Sequence, residues 1–238
     1  MRRQSNDRLE RRAFLAAVVL MLPLAGAQTT LADTPLEVPI FRSPKQPLAR
    51  KSVRSWTSLQ RENVVMQAQD YSCGAATLAT IFQYYFQDDI SEAKILKEIL
   101  GKMEADEVKD RQENGLSMND LFLCCKALGY LAAVIRLPAD KIPGLKAPVI
   151  VRLVREEFKH FVVLKGSVED RVFLADPLRG NVRMSAEKFM TQWSGEALLV
   201  GKRGFGLPQS HPLQIHTDPP VQNELDAARR YLVQPRPQ

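Results

Sequence analysis

Gln67-Ala-Gln-Asp-Tyr-Ser-Cys73-Gly-Ala-Ala-Thr-Leu-Ala-Thr80 carries the chain from a polar loop straight into an apolar helix of small residues. A thiol attacks only as its thiolate, and a helix N-terminus favours that charge through its unpaired N–H groups and positive dipole end. The favour is limited. A helix terminus supplies at most about 2 kcal/mol, against roughly 1.4 kcal/mol for each tenfold gain in thiolate and an ordinary thiol value near 8.5. A nucleophilic Cys73 therefore needs a cation as well, which is the work of a protonated imidazole. Without one, Cys73 is simply a buried residue at a helix start.

Outward from Cys73 the pattern is first helical. Gly74 to Gln87 puts Leu78, Ile81, Phe82 and Tyr85 on one apolar face. Ser91 caps a second helix to about Leu100, with Ile95, Leu96 and Ile99 inward. The charged run 101–115 reads as a solvated loop or frayed helix. Ser117, with Asp120 three residues on, caps a third helix that ends at Gly129. The period then changes to that of strands, over Tyr130–Leu137, Pro148–Val154, His160–Lys165, Val172–Ala175 and Asn181–Met184. Ser185 caps a short helix through Trp193, and Ala197–Val200 closes the sheet. Helices first and strands after make the class α+β. One domain over 61–203 is expected, between an extended arm at 28–60 and a Pro-rich tail at 204–238 that holds a possible short helix, Asn223–Leu232.

Three histidines are available. His211 and His216 fall in the Pro-rich tail, where holding a ring in one orientation is difficult, so elimination leaves His160 as the base. It opens the apolar run Phe161-Val-Val-Leu164, where a histidine is otherwise an ordinary strand residue. Asp176 ends the next apolar run and is stopped by Pro177. Its carboxylate can accept the imidazole N–H and fix the tautomer, although Asp-Pro is also a common turn. Gln67 can offer an N–H to an oxyanion beside the Cys73 backbone N–H; Gln69 competes, and spacing does not choose between them.

The net charge of +6 is half accounted for by residues 1–27, where five arginines face only Asp7 and Glu10. No basic run with interleaved aromatics follows, which argues against nucleic acid. Arg2, Arg3, Arg8, Arg11 and Arg12 precede the apolar stretch Ala13–Ala27, too short for a span needing about 20 residues. With small-residue cleavage sites ending at Ala27 and Ala32, residues 1–27 read as a signal peptide, by the general or the twin-arginine route. The mature chain is then expected in the periplasm, with no membrane span after cleavage. Three cysteines are too few for a disulfide scaffold. Adjacent Cys124 and Cys125 read as apolar core residues, leaving Cys73 as a free thiol in an oxidising compartment. No Cys or His pair has metal-ligand spacing and no phosphate-binding Gly-rich loop occurs, so neither metal, other cofactor nor ATP is expected.

Taken together, these pieces resemble the papain-like bacteriocin-processing peptidases that cut double-glycine leaders. The matching residues are Gln67-x5-Cys73-Gly74-x-Ala76, Gly115-Leu-Ser117, Asp120-Leu121, Ala127-Leu-Gly129-Tyr130 and Ala147-Pro148-Val-Ile150. His160-Phe-Val-Val163, Asp176-Pro177-x-x-Gly180, Phe189 and Trp193-x-Gly195 follow in family order. The resemblance implies a papain-like fold and a polypeptide substrate. It also implies Cys73 as nucleophile, His160 as general base and acid, Asp176 as orienter and Gln67, over Gln69, as oxyanion donor. Ser72 departs from it, standing where an Asp is usual, and no transporter follows the peptidase region. A free-standing exported form with Asp-Tyr-Ser-Cys-Gly-Ala-Ala is similar to the peptidases of functional-amyloid secretion systems. The expected activity is an exported cysteine endopeptidase; a transferase using the same triad, or a non-catalytic peptide-binding or chaperone-like module, is the alternative.

Overall fold

A computed structural model of the chain describes residues 36–40, 49–155 and 158–215. Residues 1–27, His216 and the helix expected at Asn223–Leu232 lie outside the described residues.

Within the stretch read as an extended arm, β1 (Leu36–Ile40) and β2 (Ala49–Val53) pair as an antiparallel ribbon, and α1 (Trp56–Gln60) follows. Then come α2 (Cys73–Tyr84), α3 (Glu92–Leu100), α4 (Ala105–Asn114) and α5 (Met118–Ala127). Six strands follow: β3 (Leu131–Arg136), β4 (Val149–Arg155), β5 (Phe158–Val168), β6 (Arg171–Asp176), β7 (Gly180–Ser185) and β8 (Trp193–Gly201), with α6 (Ala186–Gln192) before the last. They form one antiparallel sheet in the order β3-β8-β4-β5-β6-β7. The last strand thus enters the sheet between β3 and β4 instead of lying at its edge.

α2 is the axis of the domain. Every residue from Cys73 to Phe82 is buried, as expected of a helix apolar nearly all round. Its two threonines turn their hydroxyls back onto the helix, Thr77 to the Gly74 carbonyl and Thr80 to that of Ala76, so no polar group is stranded. One face of the sheet packs on α2, α3 and α5 through Ile150, Phe161, Val163, Ala175 and Leu198. The alternating residues Val151, Leu153, Val162, Leu164 and Leu174 meet Phe189 of α6 and Trp193 on the other face. Central strands covered on both faces explain their nearly continuous apolar runs. Each fully buried Leu, Val or Phe contributes about 1.5–3 kcal/mol.

The charged run 101–115 is a helix over most of its length. α4 buries no side chain, so the apolar period that reveals a helix is missing. It is held by a capping box between Glu104 and Glu107 and by Arg111, whose Nε donates to the buried Asp120 at 2.7 Å. The start of the Pro-rich tail is also structured. Leu213 is fully buried in the helix-side core, and the Pro212 carbonyl accepts from Asn63 at 3.2 Å.

Candidate active site

The loop before α2 holds Cys73 in place. Ser72 does not cap the helix with its side chain; its hydroxyl instead accepts from the Gln69 N–H (3.1 Å) and donates to the Gln69 carbonyl (2.8 Å). Ser72, where a carboxylate would be usual, is fully buried and serves to close this turn. Gly74 then brings the helix start close to its neighbours: a Cβ there would lie 2.9 Å from Leu121 Cδ2 and 3.2 Å from Phe161 Cδ2. Phe161 directly follows His160, so the missing methyl sets the thiol against the start of β5. Cys73 lines a cleft of about 390 Å3 together with Asp70, Tyr71, Asn114, Gly115 and Lys159.

His160 and Asp176 reach the same end of the sheet because β5 and β6 run antiparallel, with Val163 opposite Ala175. His160 Nε2 lies 2.7 Å from Asp176 Oδ1, with both residues buried. Cys73 acts on the same ring through a hydrogen bond and its charge. Burial alone would lower the imidazole's proton affinity; the hydrogen bonds and negative charges of Asp176 and Cys73 outweigh it and push His160 up to about 9. Burial likewise opposes charge on Asp176, but His160, the Leu178 N–H and Arg179 hold the carboxyl down at about 2. These partners favour the protonated ring, which lies between the carboxylate and Cys73.

Gln67 is half-buried and tied to the same region, its N–H donating to the Pro177 carbonyl at 2.9 Å, one residue beyond Asp176. Its side-chain Nε2 donates to the Gln69 carbonyl at 3.0 Å and makes only a marginal 3.5 Å contact with that of Asp70. One of its two N–H bonds is therefore weakly engaged. The Cys73 N–H, first in the helix, has no intrahelical acceptor. Gln69 engages the loop through its backbone and is exposed.

Two supporting residues escaped the sequence reading. Glu92, at the first position of α3, is buried and accepts the Ala68 N–H on both carboxylate oxygens at 3.1 and 3.2 Å, pinning the loop between Gln67 and Gln69. Arg179 donates to Asp176 Oδ2 from Nε at 2.7 Å, and its Nη2 forms an ion pair with that oxygen at 2.6 Å. The only signal for Glu92 was an acid following a cap. For Arg179 it was a cation three residues after the orienter, in a turn that Gly180 completes at φ +82°, where a Cβ would meet the Gln60 carbonyl at 2.3 Å.

The other candidates lie apart from this cluster. Cys124 and Cys125 are buried free thiols in the core beneath α5. Burial pushes Cys124 up to about 11 and Cys125 up to about 12. His211 is better held than its Pro-rich surroundings imply, its ring edge-on to Tyr85 at 4.8 Å between centroids. It lines a separate cavity with Lys165, Gly166 and Pro208, whose walls include none of Cys73, His160 or Asp176. Burial lowers Lys165 to about 8. Among the described residues no cluster of three His, Cys, Asp or Glu side chains suits a metal ion, and no helix is long and apolar enough to cross a membrane.

A cysteine at a helix start, hydrogen-bonded to a histidine that a buried carboxylate orients, on helices packed against an antiparallel sheet, is the layout of a papain-like cysteine peptidase. The profile of the Peptidase C39 family matches residues 61–204, and the chain belongs to that family. Two relatives bear the name "Probable functional amyloid protease FapD". The one from Pseudomonas fluorescens is 31% identical over 194 residues, covering 80% of each chain. That from Pseudomonas aeruginosa is 29% identical over 216 residues, covering 90% of each. The peptidase domain of Streptococcus ComA, a bi-functional ABC transporter, shares the fold with a TM-score of 0.51 and 22% identity. That match covers 60% of this chain and 99% of the other. The chain is thus a cysteine peptidase by family, with a peptide as the implied class of substrate.

Proposed function

We propose that the protein is an exported cysteine endopeptidase working through Cys73, His160 and Asp176, and that it processes a component of a secreted amyloid or biofilm system in the periplasm. The observation that carries the mechanism is the buried chain from Asp176 Oδ1 through His160 at 2.7 Å to Cys73.

The thiolate attacks the scissile carbonyl carbon, forming the C–S bond as the carbonyl π electrons move to oxygen. Gln67 Nε2 and the Cys73 N–H donate to that oxyanion. The tetrahedral intermediate collapses, the C–N bond breaks, and His160 gives its proton to the leaving amine. The neutral imidazole then takes a proton from water as its oxygen attacks the thioester. Release of the acid restores the thiolate and the imidazolium. Asp176 stays ionised throughout and holds the ring. Likeness to the two Pseudomonas relatives supports the amyloid substrate, and the Arg-rich apolar N-terminus supports export.

Replacing Cys73 by Ala is expected to abolish cleavage with the fold intact, measured by circular dichroism and by comparing exported proteins in cells carrying either form. Persisting cleavage in the Ala variant contradicts the mechanism. An unchanged set of exported proteins, alongside Cys73-dependent cleavage of a test peptide, contradicts only the assignment of substrate.

A further inference from the structure

The Asp176 carboxylate has two oxygens with different surroundings. Oδ1 accepts from His160 Nε2 (2.7 Å), the Leu178 N–H (2.9 Å) and the Arg179 N–H (3.3 Å). Oδ2 accepts from Arg179 Nε at 2.7 Å, and Arg179 Nη2 pairs with the same oxygen at 2.6 Å. Asp176 is 0% exposed, while the Arg179 side chain is 37% exposed. Removing the guanidinium would take away the protein donor that Oδ2 has in this turn. Losing a donor to a buried acceptor is costly, and the terminal torsion of an Asp side chain is broad and close to two-fold. The carboxylate would then be held through Oδ1 alone, and rotation about that torsion could bring Oδ2 toward the ring as well.

We propose that Arg179 is the positioning residue of the site: its guanidinium locks the Asp176 carboxylate so that one oxygen alone, already braced by two backbone N–H groups, faces His160. The inference rests on the triad reading above and adds what holds the triad's acid. Arg179 pairs with Asp176 and acts through it. Its planar fork suits the task in a way a lysine does not. A directed Nε–H bond from a rigid planar cation fixes an orientation, whereas an ammonium attracts as a point charge. The turn that carries it is itself fixed. The Pro177 carbonyl accepts the Gln67 N–H at 2.9 Å, and Gly180 sits against Gln60. The same five residues, 176–180, thus connect the orienting acid to the loop of the oxyanion donor.

The test compares the wild type with Arg179→Gln and Arg179→Lys in protein labelled with 15N-histidine. Only three histidines contribute, and His160 is assigned from the signal lost in His160→Gln. The wild type is expected to show a protected Nε2–H proton, hydrogen-bonded to Asp176. Both variants lose or broaden that signal, and Cys73 alkylation by iodoacetamide at pH 6 slows roughly 10- to 100-fold, the scale of a small misplacement in a catalytic array. Lys is expected to recover part of the rate through its charge but not the ordered proton. A native Nε2–H signal and an alkylation rate within about threefold of wild type in Arg179→Gln overturn the proposal. Should Arg179→Gln fail to fold, Arg179→Lys decides. Full native behaviour there means that charge or stability, not orientation, is the role. The ring signal needs no substrate, so it reads Arg179 even if the endopeptidase reading fails. Cys73-dependent cleavage with an undisturbed signal would sink this inference alone.

Discussion

The described chain holds two cysteine environments of nearly equal burial, and they differ in every other respect. Cys73 is 5% exposed at the start of α2, and Cys124 and Cys125 are 3% and 0% exposed within α5. Around Cys125, whose value rises to about 12, apolar packing and the neighbouring Cys124 thiol oppose a thiolate. Cys73 instead borders an imidazole that Asp176 and Cys73 itself raise to about 9. Depth alone therefore does not decide whether a thiol is inert. On the proposed mechanism the decision lies with the next group in the chain of hydrogen bonds, which for Cys73 runs through His160 and Asp176 to Arg179.

Breaking the chain at Asp176 is expected to have the largest effect short of removing the nucleophile. Asp176→Asn keeps the shape, but its NH2 group can only face the ring by forcing the wrong tautomer. Peptide cleavage is expected to fall about 10³- to 10⁴-fold by analogy with other triads. A loss below tenfold in kcat/KM would separate Asp176 from catalysis.

Gln67→Ala comes next, with an expected loss of about 100- to 1000-fold in kcat for one oxyanion donor. A smaller change than about tenfold moves that role elsewhere, with Gln69 the first to test.

The inert side of the comparison should respond in the opposite sense. Cys125→Ser puts a hydroxyl into an apolar site and is expected to cost about 1–3 kcal/mol of stability by denaturant titration, with kcat unchanged. A loss of activity in a folded Cys125→Ser protein would show that α5 has a part in the chemistry.

Most of this division was legible in the sequence because it follows from local chemistry. Small residues after Cys73 marked a helix start, and Gly74 lets that start approach Leu121 and Phe161 closely. Cys124 and Cys125 announced themselves as core by sitting in an apolar helix. What stayed hidden depended on contacts distant in the chain or on helices without an apolar face. α4 buries nothing and is held by Arg111 on Asp120, so its charged sequence leaves a loop and a frayed helix both open. β8 runs between β3 and β4, a placement that strand order along the chain does not reveal. Arg179 and Glu92 are ordinary charged residues until the turn and the loop fold around them. His211 was discounted for its Pro-rich surroundings, yet Tyr85 holds its ring; it stays outside the site because it lines a different cavity.

The rate of iodoacetamide alkylation at each cysteine as a function of pH, read by peptide mass spectrometry, tests the central claim most directly. A buried imidazolium that persists to about pH 9 should make Cys73 react rapidly at pH 6, where an ordinary thiol near 8.5 is almost wholly protonated. Its advantage should shrink above pH 9 as the cation is lost. Cys124 and Cys125 should stay unmodified in the folded protein, and His160→Gln should bring Cys73 toward their behaviour. The account is contradicted if Cys73 reacts only as pH rises through the ordinary thiol range and His160→Gln leaves that profile unchanged.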